Sequence, residues 1–357
     1  MYYEDIIMKK RVAIIGYGGM AHWHKNRIVS SDVVELAGVC DIKEQRQNEA
    51  IADGLHLYRD FEDAIADASV EIVVLAVPNE LHAPMAIQAM KAGKNVISEK
   101  PVTLSCADLK AIFDVAEQTG RVFSVHQNRR WDGDFRLVKQ IKEENLVGKI
   151  HCIESRYHGS HGIPGDWRAK KEHGGGMILD WGVHLIDQAQ LILGIPDRIY
   201  CVCDHITNSE VDDGFKLDLI YDKIGCVYRI EVGTRNFINL PRFYVLGFDG
   251  SAVIETFNSN AHLVTCKRFD EENIVPVATA AGVTKTMAPR SSSTVNEFDL
   301  ELPHPDVHEY YRNFCDTIDG KATLLVDHEQ MMHDMRIMEL AFESDQKKAP
   351  VDYTPYN

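Results

Sequence analysis

The sequence predicts an α/β chain made of two units. Residues 1–130 should form a parallel, doubly wound sheet flanked by helices. Residues 131–340 should form an α+β unit with a large, open, mostly antiparallel sheet, and residues 341–357 a tail packing back on the body. Three observations predict this. Short apolar runs alternate with amphipathic stretches through the first 130 residues, the mark of a parallel sheet between helices. From about residue 150 the runs become strands separated by turns, which suits an antiparallel sheet open on one face. A length of 357 residues also exceeds the size at which single cores stop growing, ~250–300 residues.

In the first unit, strands are expected at Arg11–Ile15, Val34–Cys40, near Leu57, Glu71–Val77, Asn95–Ser98 and Arg121–Val125. The intervening helices are expected at Met20–Ser30, Lys43–Asp53, Phe61–Ala68, Glu80–Ala92 and Leu104–Gln118, the last two closed by Gly93 and Gly120. In the second unit, Ile150–Arg156, Ile199–His205, Phe215–Tyr221, Cys226–Gly233 and Phe243–Gly247 have strand character. A long helix over Gly176–Leu193 interrupts them. Thr279–Ser293 is a polar loop, and Val307–Gly320 and Asp327–Glu343 are striped helices.

Composition is that of an ordinary globular protein, with 45% hydrophobic and 26% charged residues. A net charge of −16 argues against nucleic acid and anionic membranes as partners, since both reward clustered lysine and arginine. No apolar run reaches the ~18–20 residues of a membrane span, and Met1–Lys10 holds no signal-peptide core, so a cytoplasmic protein is expected. The eight cysteines form no CxxC pair and should be reduced, buried small hydrophobes, with Cys201 and Cys203 on one face of a strand.

The turn Gly16-Tyr17-Gly18-Gly19-Met20-Ala21 follows the first strand and opens the first helix. Gly16 permits the tight bend, Gly18 lets amides approach a pyrophosphate, and Ala21 keeps helix and strand close. Free N–H groups and the positive end of the helix dipole then face the phosphates, so a Rossmann-type dinucleotide site is expected. Asp41 ends the second strand, where a carboxylate accepts bonds from the adenosine ribose hydroxyls and repels a 2′-phosphate. NAD is therefore favoured over NADP, with Lys43 and Arg46 the cations at hand for a phosphate. Pro78-Asn79 marks the crevice edge at the carboxyl ends of the strands.

Three features carry chemistry. Lys100, in Glu99-Lys100-Pro101, lies beyond the fifth strand, placed to bond a substrate hydroxyl and stabilise a developing alkoxide. Gly174-Gly175-Gly176 opens the helix bearing Asp180, Gly182, His184 and Asp187. Asp180 and His184, four apart, should share a face, the carboxylate orienting the ring and raising its basicity for proton removal. Gly182, costly inside a helix by ~1 kcal/mol, makes sense where a flat ring must come close. The polar run His126-Gln127-Asn128-Arg129-Arg130-Trp131-Asp132 leaves the last strand of the first unit and should line the cleft or form an interdomain hinge.

The glycine turn, Pro78-Asn79 with His82, Glu99-Lys100-Pro101, Asn128–Asp132 and Gly175…Asp180…His184 together resemble the glucose–fructose oxidoreductase/inositol dehydrogenase (Gfo/Idh/MocA) family, in its order and from about residue 10 to 195. Ala21 stands where that family varies between glycine and alanine. Trp167-Arg168, the run Asp180–Gln188 and Thr284–Arg290 look like its scyllo-inositol dehydrogenase-like branch. The resemblance implies a homo-oligomer built through the outer face of the open sheet, and NAD-linked oxidation of a secondary alcohol, or reduction of a ketone, of a cyclic polyol, sugar or glycoside. It implies a catalytic set of Lys100, Asp180 and His184. A cofactor crevice follows from Gly16, Tyr17, Gly18, Gly19, Met20, Ala21, Asp41, Ile42, Arg46, Pro78 and Asn79, continued by His82, Glu99, Lys100, Gln127, Trp167 and Arg168. His126, Asn128, Tyr157 and Arg168 join the catalytic set around the substrate. His158, His161 and Asp166 have no further ligand at suitable spacing, and no metal is expected. Two other readings stay open: a glycoside 3-dehydrogenase that recycles tightly held NAD, and a non-catalytic dinucleotide sensor.

Overall fold

The computed structural model describes residues 8–267 and 274–356. The first unit is a five-stranded parallel sheet in the order β2-β1-β3-β4-β5. Its strands are β1 (Lys10–Ile15), β2 (Val34–Cys40), β3 (Ile72–Leu75), β4 (Asn95–Ser98) and β5 (Phe123–Val125). Helices α1 (Gly19–Val29), α2 (Glu44–Ala52), α3 (Phe61–Ala66), α4 (His82–Lys91) and α5 (Cys106–Thr119) connect them. Every residue of β3 and β4 is buried, as expected of central strands covered on both faces. Helix starts follow side-chain caps: Asp60 accepts from the Asp63 amide (2.7 Å) and Ser105 from the Asp108 amide (3.1 Å).

The strand expected near Leu57 is a single bridge to Val39, so the sheet has five strands rather than six. Its neighbours explain this: His56 O accepts from the Val39 amide, and an added Cβ at Gly38 would lie 2.7 Å from that oxygen. The chain crosses the sheet edge there and does not run along it. Glu71–Val77 shortens to Ile72–Leu75 as the chain turns away towards Pro78.

The second sheet has nine strands among the described residues, in the order β15-β12-β11-β10-β6-β9-β8-β7-β16. They are β6 (Ile150–His158), β7 (Arg198–Asp204), β8 (Gly214–Tyr221), β9 (Cys226–Gly233), β10 (Phe243–Gly247), β11 (Gly250–Ile254) and β12 (Ala261–Cys266). A separate hairpin, β13 (Val277–Thr279) with β14 (Gly282–Thr284), lies within the stretch read as a polar loop. β15 (Val295–Leu300) and the short β16 (Val351–Asp352) complete the large sheet. Pairing is antiparallel except between β6 and β9. Helices α6 (Gly133–Glu143), α7 (Val183–Leu193) and α9 (His328–Lys347) cover one face. On β8, Phe215, Leu217 and Leu219 point into this core while Lys216 and Asp218 face the other way.

Helix α6 and strands β11, β12, β15 and β16 were not expected. Helix α6 carries a buried stripe of Phe135, Val138 and Ile141 that was passed over, while β12 has few apolar residues, Ala261 and Leu263 being wholly buried. The expected helix Gly176–Leu193 opens instead with a π turn over Ile178–Gly182 before α7. The C-terminal helices touch both sheets. α8 (Glu309–Ile318) brings Tyr311 to His24 of α1, and Glu339 of α9 accepts from the Cys106 amide of α5 (2.8 Å). Among the described residues no helix is long and apolar enough to cross a membrane. Burial holds the Cys40 and Cys226 thiols up at about 11, consistent with small core hydrophobes.

Asp327 and Gln330 form a reciprocal capping box at the start of α9. Asp327→Ala should lower stability by about 1 kcal/mol, seen as a reduced urea midpoint at unchanged denaturant slope.

Candidate active site

The site is built first from the glycine turn. Gly16 has φ +87°, and a Cβ there would lie 2.3 Å from the Ala76 carbonyl oxygen, so only glycine lets β1 end against β3. Around Gly18 and Gly19 a Cβ would meet nothing within 4 Å, which leaves the backbone bare at the start of α1. That helix has no side-chain cap and no acid in its first turn, so its N–H groups and dipole are free for an anion. The cradle fits a pyrophosphate.

Asp41 accepts from the Tyr17 amide (2.6 Å) through one oxygen and from the Lys43 amide (2.8 Å) through the other. A carboxylate has about four acceptor positions, so two remain for ribose hydroxyls. The Tyr17 side chain, expected from sequence to be a cofactor contact, is fully buried, and its hydroxyl donates to Asp53 (2.6 Å). It fastens the turn to the end of α2, leaving only its backbone near the cradle. Arg46 pairs with Glu49 on its own helix, and Ile42 is 94% exposed.

Several other expected cofactor or substrate contacts form the frame behind the crevice. Asn79 donates to the carbonyls of His173 (3.1 Å) and Gly174 (3.2 Å), clamping the crevice edge to the second unit. His82 is enclosed between the carbonyls of Val77 and Pro101, and burial lowers its pKa. Glu99 turns inward to His24 (2.8 Å) and His126 (3.0 Å). Burial alone would raise the Glu99 pKa, but the two histidine bonds outweigh it and hold the carboxyl well below the usual range. His126 is thus packed in the interior against Trp23, His24 and Tyr310, and does not line the cleft. His24, Glu99 and His126 are the one described group of three His, Cys, Asp or Glu residues whose ligating atoms converge within 4.8 Å. His158 lies beside Glu231 (3.8 Å), while Asp166 caps the turn Trp167–Ala169.

The expected catalytic groups do come together. Lys100 donates to the Asp180 carbonyl and to its Oδ1, both at 2.8 Å. Arg168 donates through Nε to Asp180 Oδ2 (2.9 Å) and through Nη1 to Asp166 (2.9 Å), its guanidinium 4.5 Å from the Trp167 ring. Burial would raise the Asp180 pKa, but the two cations prevail and keep it below the ordinary carboxylate value. His184 is 3% exposed. Burial first, then the charges of Lys100 and Arg129, push its pKa well below 6.5, leaving a neutral ring.

Two expectations about this helix need correction. Asp180 does not orient His184, because both its oxygens are taken by Lys100 and Arg168, which attract a carboxylate more strongly than a neutral ring does. His184 Nδ1 instead faces Gln127 Oε1 (3.2 Å), placing Gln127 behind the ring. The flat ring against Gly182 is the protein's own Phe215, whose Cζ would be 3.1 Å from an added Cβ. Beside the histidine stands a wall of rings, of which sequence reasoning named Tyr157 but not Trp181 or Phe257. Tyr157 and Trp181 lie with ring centres 3.4 Å apart, Phe257 is 4.8 Å from Tyr157, and the Arg129 guanidinium is 4.6 Å from Trp181. Asn128 keeps a buried Oδ1 with no protein partner among the described residues.

Comparison with known proteins agrees with this geometry. Residues 10–127 match the oxidoreductase family with an NAD-binding Rossmann fold, Gfo/Idh/MocA, and residues 135–253 match the C-terminal domain of the same family. The chain belongs to this family. An NAD-binding protein from Listeria innocua has the same architecture, with TM-score 0.92 and 39% identity over 97% of this chain and 99% of that one. Scyllo-inositol 2-dehydrogenase (NADP(+)) IolW of Bacillus subtilis (strain 168) is 26% identical over 96% of this chain and 95% of its own length. D-glucoside 3-dehydrogenase of Escherichia coli (strain K12) is 28% identical over 52% of this chain and 54% of its own. As a member of this family the chain is an oxidoreductase whose first unit is an NAD-binding domain.

A buried neutral histidine has a pH signature. The unfolded chain takes up a proton near pH 6.5 that folded His184 refuses, so this residue weakens the fold as pH falls below 6.5 and is silent above it. His184→Asn removes that proton. The stability gap between variant and wild type should shift towards the variant by up to about 1.4 kcal/mol per pH unit between pH 6.5 and 5, measured by urea unfolding.

Proposed function

We propose that the protein is an NAD-linked dehydrogenase acting on a secondary alcohol, or the matching ketone, of a cyclic polyol, sugar or glycoside. One observation carries this reading. A lysine anchored on a carboxylate and a neutral, buried histidine meet at the carboxyl end of the parallel sheet, beside a cradle shaped for a dinucleotide. The substrate class is supported by the names of the inositol and glucoside dehydrogenases to which the chain is similar.

The bound nicotinamide would supply the acceptor for a hydride from the carbinol carbon. Lys100 spends two of its three N–H donors on Asp180 and has one for the reacting oxygen. His184, neutral at pH 7, is suited to take the hydroxyl proton as the carbonyl forms, and to return it in the reverse direction. Asp180 keeps the lysine aimed, and Arg168 shares the anchoring. The crevice residues Pro78 and Trp167 and the partly enclosed Tyr157 and Asn128 are the remaining candidates for ligand contact. Assembly into a homo-oligomer is proposed through the outer face of the nine-stranded sheet, where Arg156, Tyr200, Lys216 and Arg229 line a shared concavity.

The test is an NAD-reduction screen over inositols, hexoses and aryl glucosides with the purified protein. With an accepted substrate, Lys100→Ala and His184→Ala should each lower kcat by about 10²-fold or more. Turnover unchanged in both variants would sink the assignment and leave dinucleotide sensing as the better reading. Stoichiometric NAD(H) released on heat denaturation would mark the version in which the cofactor is held and recycled.

A further inference from the structure

The geometry points to Gln127 as the positioning residue that fixes the tautomer of His184, with its own amide held from behind by Asp334 of α9. This inference rests on the reading of His184 as the proton-handling group.

Three elements meet here: the exit of β5 carries Gln127, α7 carries His184, and α9 carries Asp334. Gln127 Oε1 lies 3.2 Å from His184 Nδ1, the hydrogen bond that this ring makes among the described residues. An amide oxygen only accepts, so Nδ1 carries the hydrogen and Nε2 keeps its lone pair for a substrate hydroxyl. A glutamine alone cannot guarantee this, because a flipped amide would present N–H to the ring and reverse the tautomer.

The second contact removes that freedom. Gln127 Nε2 donates to Asp334 Oδ2 (3.3 Å), while Gln190 donates to Asp334 Oδ1 (2.8 Å). Asp334 is fully enclosed, and burial together with the neighbouring Asp187 carboxylate raises its pKa well above the usual value. Asp187 is gripped in turn by the Arg130 guanidinium through Nε (2.8 Å) and Nη2. Each Asp334 oxygen faces a side-chain amide nitrogen, and this orientation of Gln127 satisfies both ends. The charged or titratable groups acting on His184 are Lys100, Arg129, Glu99 and His126, each held by its own partners. None of them bonds the ring.

The test uses the full-length protein with ¹⁵N-labelled histidine, the His184 signals being assigned by their loss in His184→Asn. Wild type should show one ring state, protonated at Nδ1. Gln127→Leu, which removes the acceptor, should mix or reverse the tautomers and lower kcat by about 10²-fold or more, with KM for NAD changed less than about threefold. Gln127→Glu, which can only accept when ionised, should keep the Nδ1–H tautomer, recover most of kcat, and move the acid limb of the pH profile upward. Asp334→Leu, which removes the acceptor behind the amide nitrogen, should let the amide turn over and populate both tautomers. An unchanged His184 spectrum in Gln127→Leu overturns the inference, and so does a loss confined to NAD affinity, which would make Gln127 a cofactor contact. If the wild type oxidises no alcohol in the screen, the functional reading fails, while the ring spectrum still decides the role of Gln127.

Discussion

The Asp180 carboxylate, held between Lys100 and Arg168, is the interaction on which the rest of the site depends. A buried carboxylate must be paired, since the desolvation penalty is several kcal/mol per ion. Here the partners come from different parts of the chain: Lys100 follows β4 of the parallel sheet, and Arg168 belongs to the short turn before α7. Satisfying one buried charge therefore sets the distance between the two sheets at the crevice. It also aims the lysine, because two of its donors are committed and the third has little choice of direction.

Behind that pair the interior uses charge sparingly. Glu99 is kept ionised by two histidines, and Asp187 is paired with the Arg130 guanidinium. His184 receives no acid of its own, so burial and nearby cations leave it neutral. The contrast follows from what each group meets. At His184 only an amide is within hydrogen-bond reach and desolvation decides; at His126 burial outweighs even the Glu99 carboxylate. A base intended to accept a proton at neutral pH is served by the environment of His184.

The same economy explains why so many polar side chains near the crevice are bonded to the protein itself. His82, Asn79, Glu99 and His126 spend their bonds on backbone carbonyls or on one another. Loops that carry a site must be rigid, and buried backbone groups at strand ends need partners. Residues clustered around a motif are thus of two kinds, and spacing along the chain does not separate them.

The sequence by itself determined the parallel sheet, its central apolar strands, the glycine turn at Gly16–Ala21 and the position of Lys100 just beyond a strand end. These are readable because they rest on local signals: continuous apolar runs, a turn that only glycine permits, and polar residues placed just beyond strand ends. What only the tertiary structure decided was partnership. Asp180 and His184 look like a pair at four-residue spacing, yet Lys100 and Arg168, eighty and twelve residues away, claim the carboxylate, and Gln127 takes the ring. Strands β11 and β12 were invisible for the same reason: the burial of Ala252, Ile254, Ala261 and Leu263 comes from partner strands and not from a local pattern. Hydrogen bonds and burial are settled by whichever group is nearest in space, and in this chain the nearest group is seldom the nearest in sequence.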